Sequence, residues 1–394
     1  MKVVISGYYG FGNVGDEAVL VSLLQELKEV QATVLSATPT LTAELNKVRS
    51  IGRYDFPLVI RELAGADVLI SGGGTLFQDV TSSRSFWYYI GLVLLAKIMR
   101  KKVMVMAQGF GPLRHWANRL MARVILNLVD LITLRDDESF HEIMKLGVTS
   151  TPVFVTADPV ALLNKPELMT GKHILSLEGI ETNKPLVGIA IRNLPGKKAM
   201  EEKVSRALAQ ALDRLQAERG IRPVFLIFQN PEDTRESQQV AGLMASDSST
   251  VFRLCRPEEM LALFPHCRLV IGMRLHSLVF AAMSGVPLIG LSYDPKVESF
   301  LNFLGQPEVK IDQRLDVDSF IRELEYVFAN ETRIKQELAE KIERLRYKAR
   351  LNFELFFVLL RSDWDKQAYL CKSLLERSKI AHDEHRANKE GAVK

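Results

Sequence analysis

Lys2-Val3-Val4-Ile5-Ser6 runs without a break into Gly7-Tyr8-Tyr9-Gly10-Phe11-Gly12-Asn13-Val14-Gly15-Asp16-Glu17, and this junction decides the fold. A short β-branched run, a glycine-rich turn and then a segment of helical period over residues 17–30 make the opening of a βαβ unit. The alternation repeats, with strands expected at 33–36, 67–71, 102–107, 131–134 and 153–156 and a helix at 115–129. These runs are nearly continuous in Val, Ile, Leu and Met, as strands buried on both faces of a parallel sheet require. Between residues 163 and 184 the periodicity weakens, and Pro166, Gly171, Gly179 and Pro185 punctuate the chain. A second series follows at 186–191, 223–228, 251–254, 269–272, 287–291 and 309–311, with helices at 201–219, 257–264 and 318–329. The expected architecture is α/β: two Rossmann-like domains facing a cleft, residues 1–170 and 185–345, joined by a linker at 171–184. Residues 346–394 read as C-terminal helices and a tail, polar and frayed over 378–394.

Bulk properties agree with two soluble domains. A chain of 394 residues exceeds the size at which one core stops growing. Net charge is only +4 and evenly spread, so no nucleic-acid partner is expected. Three scattered cysteines, Cys255, Cys267 and Cys371, suit neither a disulfide framework nor a zinc cage, and no Asp-x-Asp or His cluster suggests a metal. The N-terminus lacks the apolar core of a signal peptide. The most apolar stretch, 86–99, contains Lys97 and falls short of the ~20 residues of a bilayer span. A cytoplasmic protein is expected. The basic cluster Arg100-Lys101-Lys102 and the patch around Arg114, Arg119 and Arg123 read as a solvated face, or as peripheral contact with anionic lipid on the inner membrane face.

Ligands of such folds bind beyond the carboxyl ends of the strands, so strand-end residues carry the functional information. Gly10 to Gly15 match the dinucleotide pattern G-x-G-x-x-G. Asp16 and Glu17 would repel a pyrophosphate at that helix start, and the next strand ends in Ser36-Ala37-Thr38-Pro39 with no acid for a ribose. Asn13 and Asp16 fit sugar hydroxyls better, the plainer alternative being Asp16 as a helix N-cap. The 67–71 strand ends in Ser71-Gly72-Gly73-Gly74-Thr75-Leu76-Phe77-Gln78-Asp79, where three glycines point to close approach by a ligand or a neighbouring loop. Arg135 follows the 131–134 strand, set either to enter the cleft or to pair with the acids beside it.

The strongest signal lies in the second domain. Its 269–272 strand leads into Met273-Arg274-Leu275-His276-Ser277 and an apolar helix. A permanent cation and a titratable ring at a helix N-terminus make an anion site with an acid/base group built in. Lys296 ends the next strand and Arg192 the 186–191 strand, so four basic side chains can converge on one anionic ligand.

Together these segments resemble the polysaccharide pyruvyltransferase family, in particular its CsaB-type members, over residues 1 to about 360. The resemblance rests on Gly12–Asp16, Gly72–Asp79, Arg135–Ser139, Ala157-Asp158-Pro159 and Arg274–Ser277. It implies a GT-B-like fold and phosphoenolpyruvate as donor substrate, with no further cofactor. It also implies a cyclic ketal formed across two hydroxyls, on N-acetylmannosamine of a lipid-linked precursor of a secondary cell-wall polymer that anchors surface layers. By the same resemblance Arg274 and His276 contact phosphoenolpyruvate, Leu275 lies between them, and Lys296 is the matching lysine. His276 or Lys296 would protonate the enol carbon, with Arg274 and Arg192 on the phosphate. The glycine loops, with Gln78 and Asp79, would take the acceptor in the first domain. Two rival readings remain: a nucleotide-sugar glycosyltransferase of the same fold, with Glu298 on the donor ribose, and a non-catalytic sugar- or lipid-binding scaffold.

Overall fold

The computed structural model describes residues 1–80, 82–194, 196–251, 255–312 and 315–361. Cys371 and the expected polar tail lie outside the described residues, as do 252–254 of the expected 251–254 strand. The first sheet holds β1 (Lys2–Ser6), β2 (Gln31–Ser36), β3 (Arg49–Gly52), β4 (Val68–Gly72), β5 (Lys102–Gln108), β6 (Leu131–Leu134) and β7 (Val153–Val155). Its order is β3-β2-β1-β4-β5-β6-β7, and its paired strands are all parallel. The second sheet holds β8 (Leu186–Ala190), β9 (Arg222–Leu226), β10 (Ser249–Val251), β11 (Cys267–Gly272), β12 (Leu288–Ser292) and β13 (Glu308–Lys310), ordered β10-β9-β8-β11-β12-β13. Strand order reverses between β1 and β4 in one sheet and between β8 and β11 in the other. These switch points are where open α/β sheets leave a crevice.

Alternation along the first-sheet strands divides its core. Val3, Ile5, Ile70 and Met104 join the cluster that runs on into the second domain, whereas Val4, Leu69, Val103 and Val105 face the opposite layer. That opposite layer contains α3 (Phe56–Gly65), α4 (Ser83–Ile98) and α5 (Trp116–Leu126). The strand β3 was not among the expected ones. Its Arg49-Ser50-Ile51-Gly52 lies at the sheet edge and buries only Ile51 fully, so it carries little apolar signal.

The stretch read as punctuation between the domains contains α7 (Leu168–Leu177). Its Gly171 lies so close to the second domain that a Cβ there would stand 1.9 Å from the carbonyl oxygen of Ala262 in α10 (Pro257–Leu263). Next come α13 (Val317–Ala329) and α14 (Glu331–Leu360), a helix of 30 residues that returns across both domains. Its fully buried Asn352 accepts from Thr133 Oγ1 at 2.6 Å and Thr156 Oγ1 at 2.8 Å, and donates to the Ala157 carbonyl at 2.9 Å. Among the described residues no helix is long and apolar enough to cross a membrane.

Candidate active site

The two switch points meet face to face. From the first domain, β1 passes through the glycine turn into α1 (Val14–Glu26). Asn13 caps that helix, its Oδ1 accepting from the Gly15 amide at 3.0 Å and the Asp16 amide at 3.3 Å. The cap also crosses to the second domain: Asn13 Nδ2 donates to Gln229 Oε1 at 3.2 Å and the Val14 amide donates to the Phe228 carbonyl at 2.9 Å. Asn13, and not Asp16, is thus the cap, and it is an interdomain link at once; Asp16 lies within the first turn.

From the second domain, β11 leads into α11 (Leu275–Met283), and His276 lies in its first turn. The ring packs directly on Gly15, where a Cβ would stand 2.0 Å from His276 Nδ1, so glycine is the only residue that fits. His276 Nε2 lies 3.4 Å from Asp158 Oδ2 and has no well-formed hydrogen bond. Asp158 follows β7 and also accepts from Arg135 Nη1 at 3.0 Å and the Val160 amide at 3.1 Å. Burial would raise its carboxyl, but His276 and Arg135 outweigh burial and hold it well below the ordinary carboxylate range. Asp16 behaves oppositely. Burial pushes it up to about 6 against the pull of His276 and Arg135, so it titrates near neutrality. Its neighbour Glu17 turns away to accept from the Gly10 amide at 2.7 Å, and burial lifts it to about 7.

Arg135 pairs with Asp158 and lies 3.7 Å from Asp136, one of the acids beside it in sequence, while its side chain lines the cleft. Its Nη2 donates to Thr75 Oγ1 at 3.3 Å and its buried Nε has no hydrogen-bond partner. Beside it opens a cavity of about 90 Å³, lined by Arg135, Asp158, Leu275, Lys296, Phe300 and Lys348 among others. Lys296 stands in the first turn of α12 (Pro295–Leu304), which Asp294 caps through the Lys296 amide at 3.0 Å. Burial lowers the Lys296 ammonium below its ordinary value and does the same to Lys348 on α14. Three cations from three segments therefore face one space, which they share with the carboxylates of Asp136, Asp137 and Asp158.

Arg274 is placed differently from the other basic residues. It forms a forked ion pair with Asp233, Nε to Oδ2 at 2.9 Å, and Nη1 donates to Gln229 Oε1 at 3.1 Å. The sequence Asn13, Gln229, Arg274, Asp233 is one hydrogen-bonded chain across the cleft. Arg192 donates to the Tyr293 hydroxyl at 3.1 Å and lies over its ring. Glu298 accepts from Lys310 at the exposed surface, 3.2 Å away.

The glycine triplet shapes the site by packing. At Gly73 a Cβ would meet Val19 Cγ1 at 2.2 Å, and at Gly74 it would stand 3.0 Å from Asp16 Oδ1. Gly72 likewise backs onto Leu23, whose Cδ1 would lie 2.8 Å from a Cβ at that position. Gln78 accepts from the Val80 amide at 2.8 Å. Asp79 lies apart from His276: it accepts from the Arg114 and His115 amides at 2.7 and 2.9 Å and from Asn118 Nδ2 at 2.9 Å. Its role here is to hold the loop ahead of α5.

Sequence reasoning gave no role to Asp158, Asp233, Gln229, Thr75 or Lys348. Asp158 follows the end of a strand immediately before Pro159, and that position alone was a usable signal. Asp233 and Lys348 sit in charged helical stretches that look like any solvated face.

A family model described as polysaccharide pyruvyl transferase matches residues 13–295, from the Asn13 cap through the His276 helix. The chain belongs to the polysaccharide pyruvyl transferase family. Within curated proteins, the amylovoran biosynthesis protein AmsJ of Erwinia amylovora is 23% identical over 405 residues, covering 88% of this chain and 96% of AmsJ. Similar solved structures are Anabaena HepE with UDP (TM-score 0.62, 13% identity, 91% of this chain and 99% of that one) and Staphylococcus aureus MnaA with UDP (TM-score 0.60, 11% identity, 89% and 94%). The UDP-GlcNAc 2-epimerase of Neisseria meningitidis gives a TM-score of 0.60 at 11% identity, covering 91% of this chain and all of that one (100%). At such identities they establish the GT-B-like arrangement of two parallel-sheet domains. For this pyruvyl transferase family member, chemistry has to be argued from the residues at the cleft.

Proposed function

We propose that the chain moves pyruvate from phosphoenolpyruvate onto two hydroxyls of a saccharide, releasing phosphate and leaving a cyclic ketal. The observation that carries this reading is the meeting of His276, Asp158, Asp16 and Arg135 where the two switch points face each other. A donor with a carboxylate and a phosphate needs several cations, and Arg135, Lys296 and Lys348 line one cavity, where Asp136, Asp137 and Asp158 are the carboxylates an anionic donor would have to displace from them. A ketal-forming reaction also needs a proton donor for the enol carbon and an acceptor for the hydroxyl protons.

His276 supplies the first proton in this reading, and Lys296 holds the anion. The proton goes to the methylene carbon, which becomes the methyl of the product. The first sugar hydroxyl adds at the adjacent carbon and gives its proton to Asp16, whose raised value suits a base near neutrality. The carbon–oxygen bond to phosphate then breaks, with the cations stabilising charge on the departing oxygen. The second hydroxyl closes the ring, and its proton leaves with phosphate. Asp158 fixes the imidazole, and Arg274 holds the Asn13–Gln229 contact that sets the spacing of the two loops.

The acceptor in this proposal lies on the glycine-loop side and the donor on the side of α11 and α12. N-acetylmannosamine on a lipid-linked precursor, as in CsaB-type members, is the first acceptor to try, presented at the inner membrane face. The decisive assay follows phosphate release from phosphoenolpyruvate with and without that acceptor, with mass analysis of the sugar. Acceptor-dependent release with a ketal-sized mass gain supports the proposal. Absence of release together with tight binding of a UDP-sugar would favour the glycosyltransferase reading.

A further inference from the structure

Beyond the edge strand β3, Arg53 is 3% exposed, and among the described residues no carboxylate pairs with it. Its Nη1 makes one long bond to the Gly7 carbonyl at 3.5 Å, its Nε has no partner, and the Tyr88 and Tyr89 hydroxyls are the other polar groups that act on it. A guanidinium carries five N–H donors, and buried arginines are ordinarily paired. Aromatic rings surround this one instead: its central carbon lies 4.3 Å from the Tyr88 centroid, 5.0 Å from Phe11, 5.1 Å from Tyr89 and 5.2 Å from Tyr54.

The cage has a fixed side and a free side. Tyr89 is buried and donates to the Gly7 carbonyl at 3.0 Å, while Tyr88 donates to the Arg53 carbonyl at 2.9 Å. Phe11 and Tyr54 are 37% and 64% exposed and form the solvent-facing side of the cage. Phe11 stacks on Tyr8 at 4.2 Å and 10°, and the Tyr8 hydroxyl is held above its ordinary pKa first by burial and then by the charge of Asp16. The aromatic face therefore leads from Arg53 to the loop that carries the candidate base.

We propose that Tyr8, Phe11 and Tyr54 form a stacking subsite for the acceptor saccharide, and that Arg53 takes an anionic group carried on that saccharide. Flat rings offer an apolar surface to the C–H face of a sugar, and a forked cation matches a phosphate or a carboxylate. Two sources share this chemistry, a glycosyl phosphate and a uronic acid. The designation as acceptor subsite rests on the pyruvyl-transfer reading; the binding itself does not.

Calorimetric titration without donor tests it, using N-acetylmannosamine 1-phosphate, glucuronate and a neutral methyl N-acetylmannosaminide on the full chain. The wild type should bind an anionic sugar at least about tenfold more tightly than the neutral one, and the tighter of the two anions identifies the source. Arg53→Met should erase that gap. Tyr54→Ala should weaken every ligand several-fold without altering the melting temperature, because its ring is largely exposed. A folded Arg53→Met protein that keeps the gap, or a wild type that binds neutral and anionic sugars equally, overturns the Arg53 assignment. Unchanged affinities in both Tyr54→Ala and Phe11→Ala overturn the stacking platform, and these two variants carry the test should Arg53→Met not fold. Phosphate release from phosphoenolpyruvate, measured separately, tells failure of this subsite from failure of the transfer reading: intact sugar binding without release sinks only the latter.

Discussion

Adding one methyl group at Gly15 should disable the enzyme through His276. In Gly15→Ala the new carbon would stand 2.0 Å from Nδ1 and 2.5 Å from Cγ of the imidazole, so the ring must retreat by about 1.4 Å to reach ordinary contact. The helix start cannot give way instead, because Asn13 caps it and the Val14 amide is bonded to Phe228 across the cleft. The ring therefore leaves its 3.4 Å contact with Asp158. Overpacking of this kind costs about 1–3 kcal/mol of stability. A displacement of ~1 Å in a reacting group costs roughly 10²-fold in rate, and loss of a placed proton donor ~10²–10⁴-fold. The expected result is a kcat at least ~10²-fold lower with the donor KM little changed, read from phosphate release, and a denaturation midpoint lowered in proportion to that cost. A double-mutant cycle with His276→Ala isolates the cause, because without the ring the methyl has space and Gly15→Ala should cost almost nothing more. Wild-type kcat in Gly15→Ala, or fully additive effects in the cycle, would refute the placement of His276 as the group that matters.

Asp16, raised to about 6, should impose a fall in kcat/KM as pH drops through about 6, and Asp16→Asn should abolish that limb along with most activity. The sign for stability follows from the same shift: a carboxyl raised by folding favours the fold at low pH and loses that contribution as pH rises through about 6. Asp16→Asn should therefore melt higher than wild type at pH 8. Asp158 is depressed on folding, so its contribution is present above the unfolded carboxylate range and fades as pH falls below about 4. Asp158→Asn takes from Arg135 the closer of its two carboxylates, leaving Asp136 at 3.7 Å, and should cost about 1.5–3 kcal/mol at pH 7 by urea unfolding, the gap to wild type closing in acid. Asp79→Ala, by contrast, strips three hydrogen bonds from the loop ahead of α5 and should cost about 1–3 kcal/mol while both KM values stay within twofold.

The fold was legible because the buried strands read as unbroken apolar runs and the turns between them as glycine and proline. What escaped was half-polar: β3 at the sheet edge, and α7 in the stretch that Gly171 made look like a linker, where the glycine in fact serves close packing on Ala262. In the candidate site, strand-end logic singled out Arg135, directly after β6, and His276 and Lys296, each four residues beyond β11 and β12. It did not separate Arg274, whose fork is held by Asp233, from the cations that face the cavity, because a partner 41 residues away leaves no local trace. Nor did it foresee that the glycine triplet is shaped by Val19, Leu23 and Asp16 of a neighbouring helix. Long-range pairing decides which charged residues stay available, and that information lies in the topology.

The reach of α14 back to the first domain has a consequence in time. Asn352 bonds the Ala157 carbonyl from 195 residues further along the chain, next to Asp158, which lies 3.4 Å from the His276 ring. At the ~5–20 residues per second of synthesis, the ribosome adds that stretch in roughly 10–40 s. Until then, Thr133, Thr156 and the turn into Asp158 await their partner, although every strand of their own sheet has already emerged. Arrival of α14 is thus the step that completes the candidate site, and a stop codon shortly before Asn352 would release two nearly complete domains with an unfinished site between them.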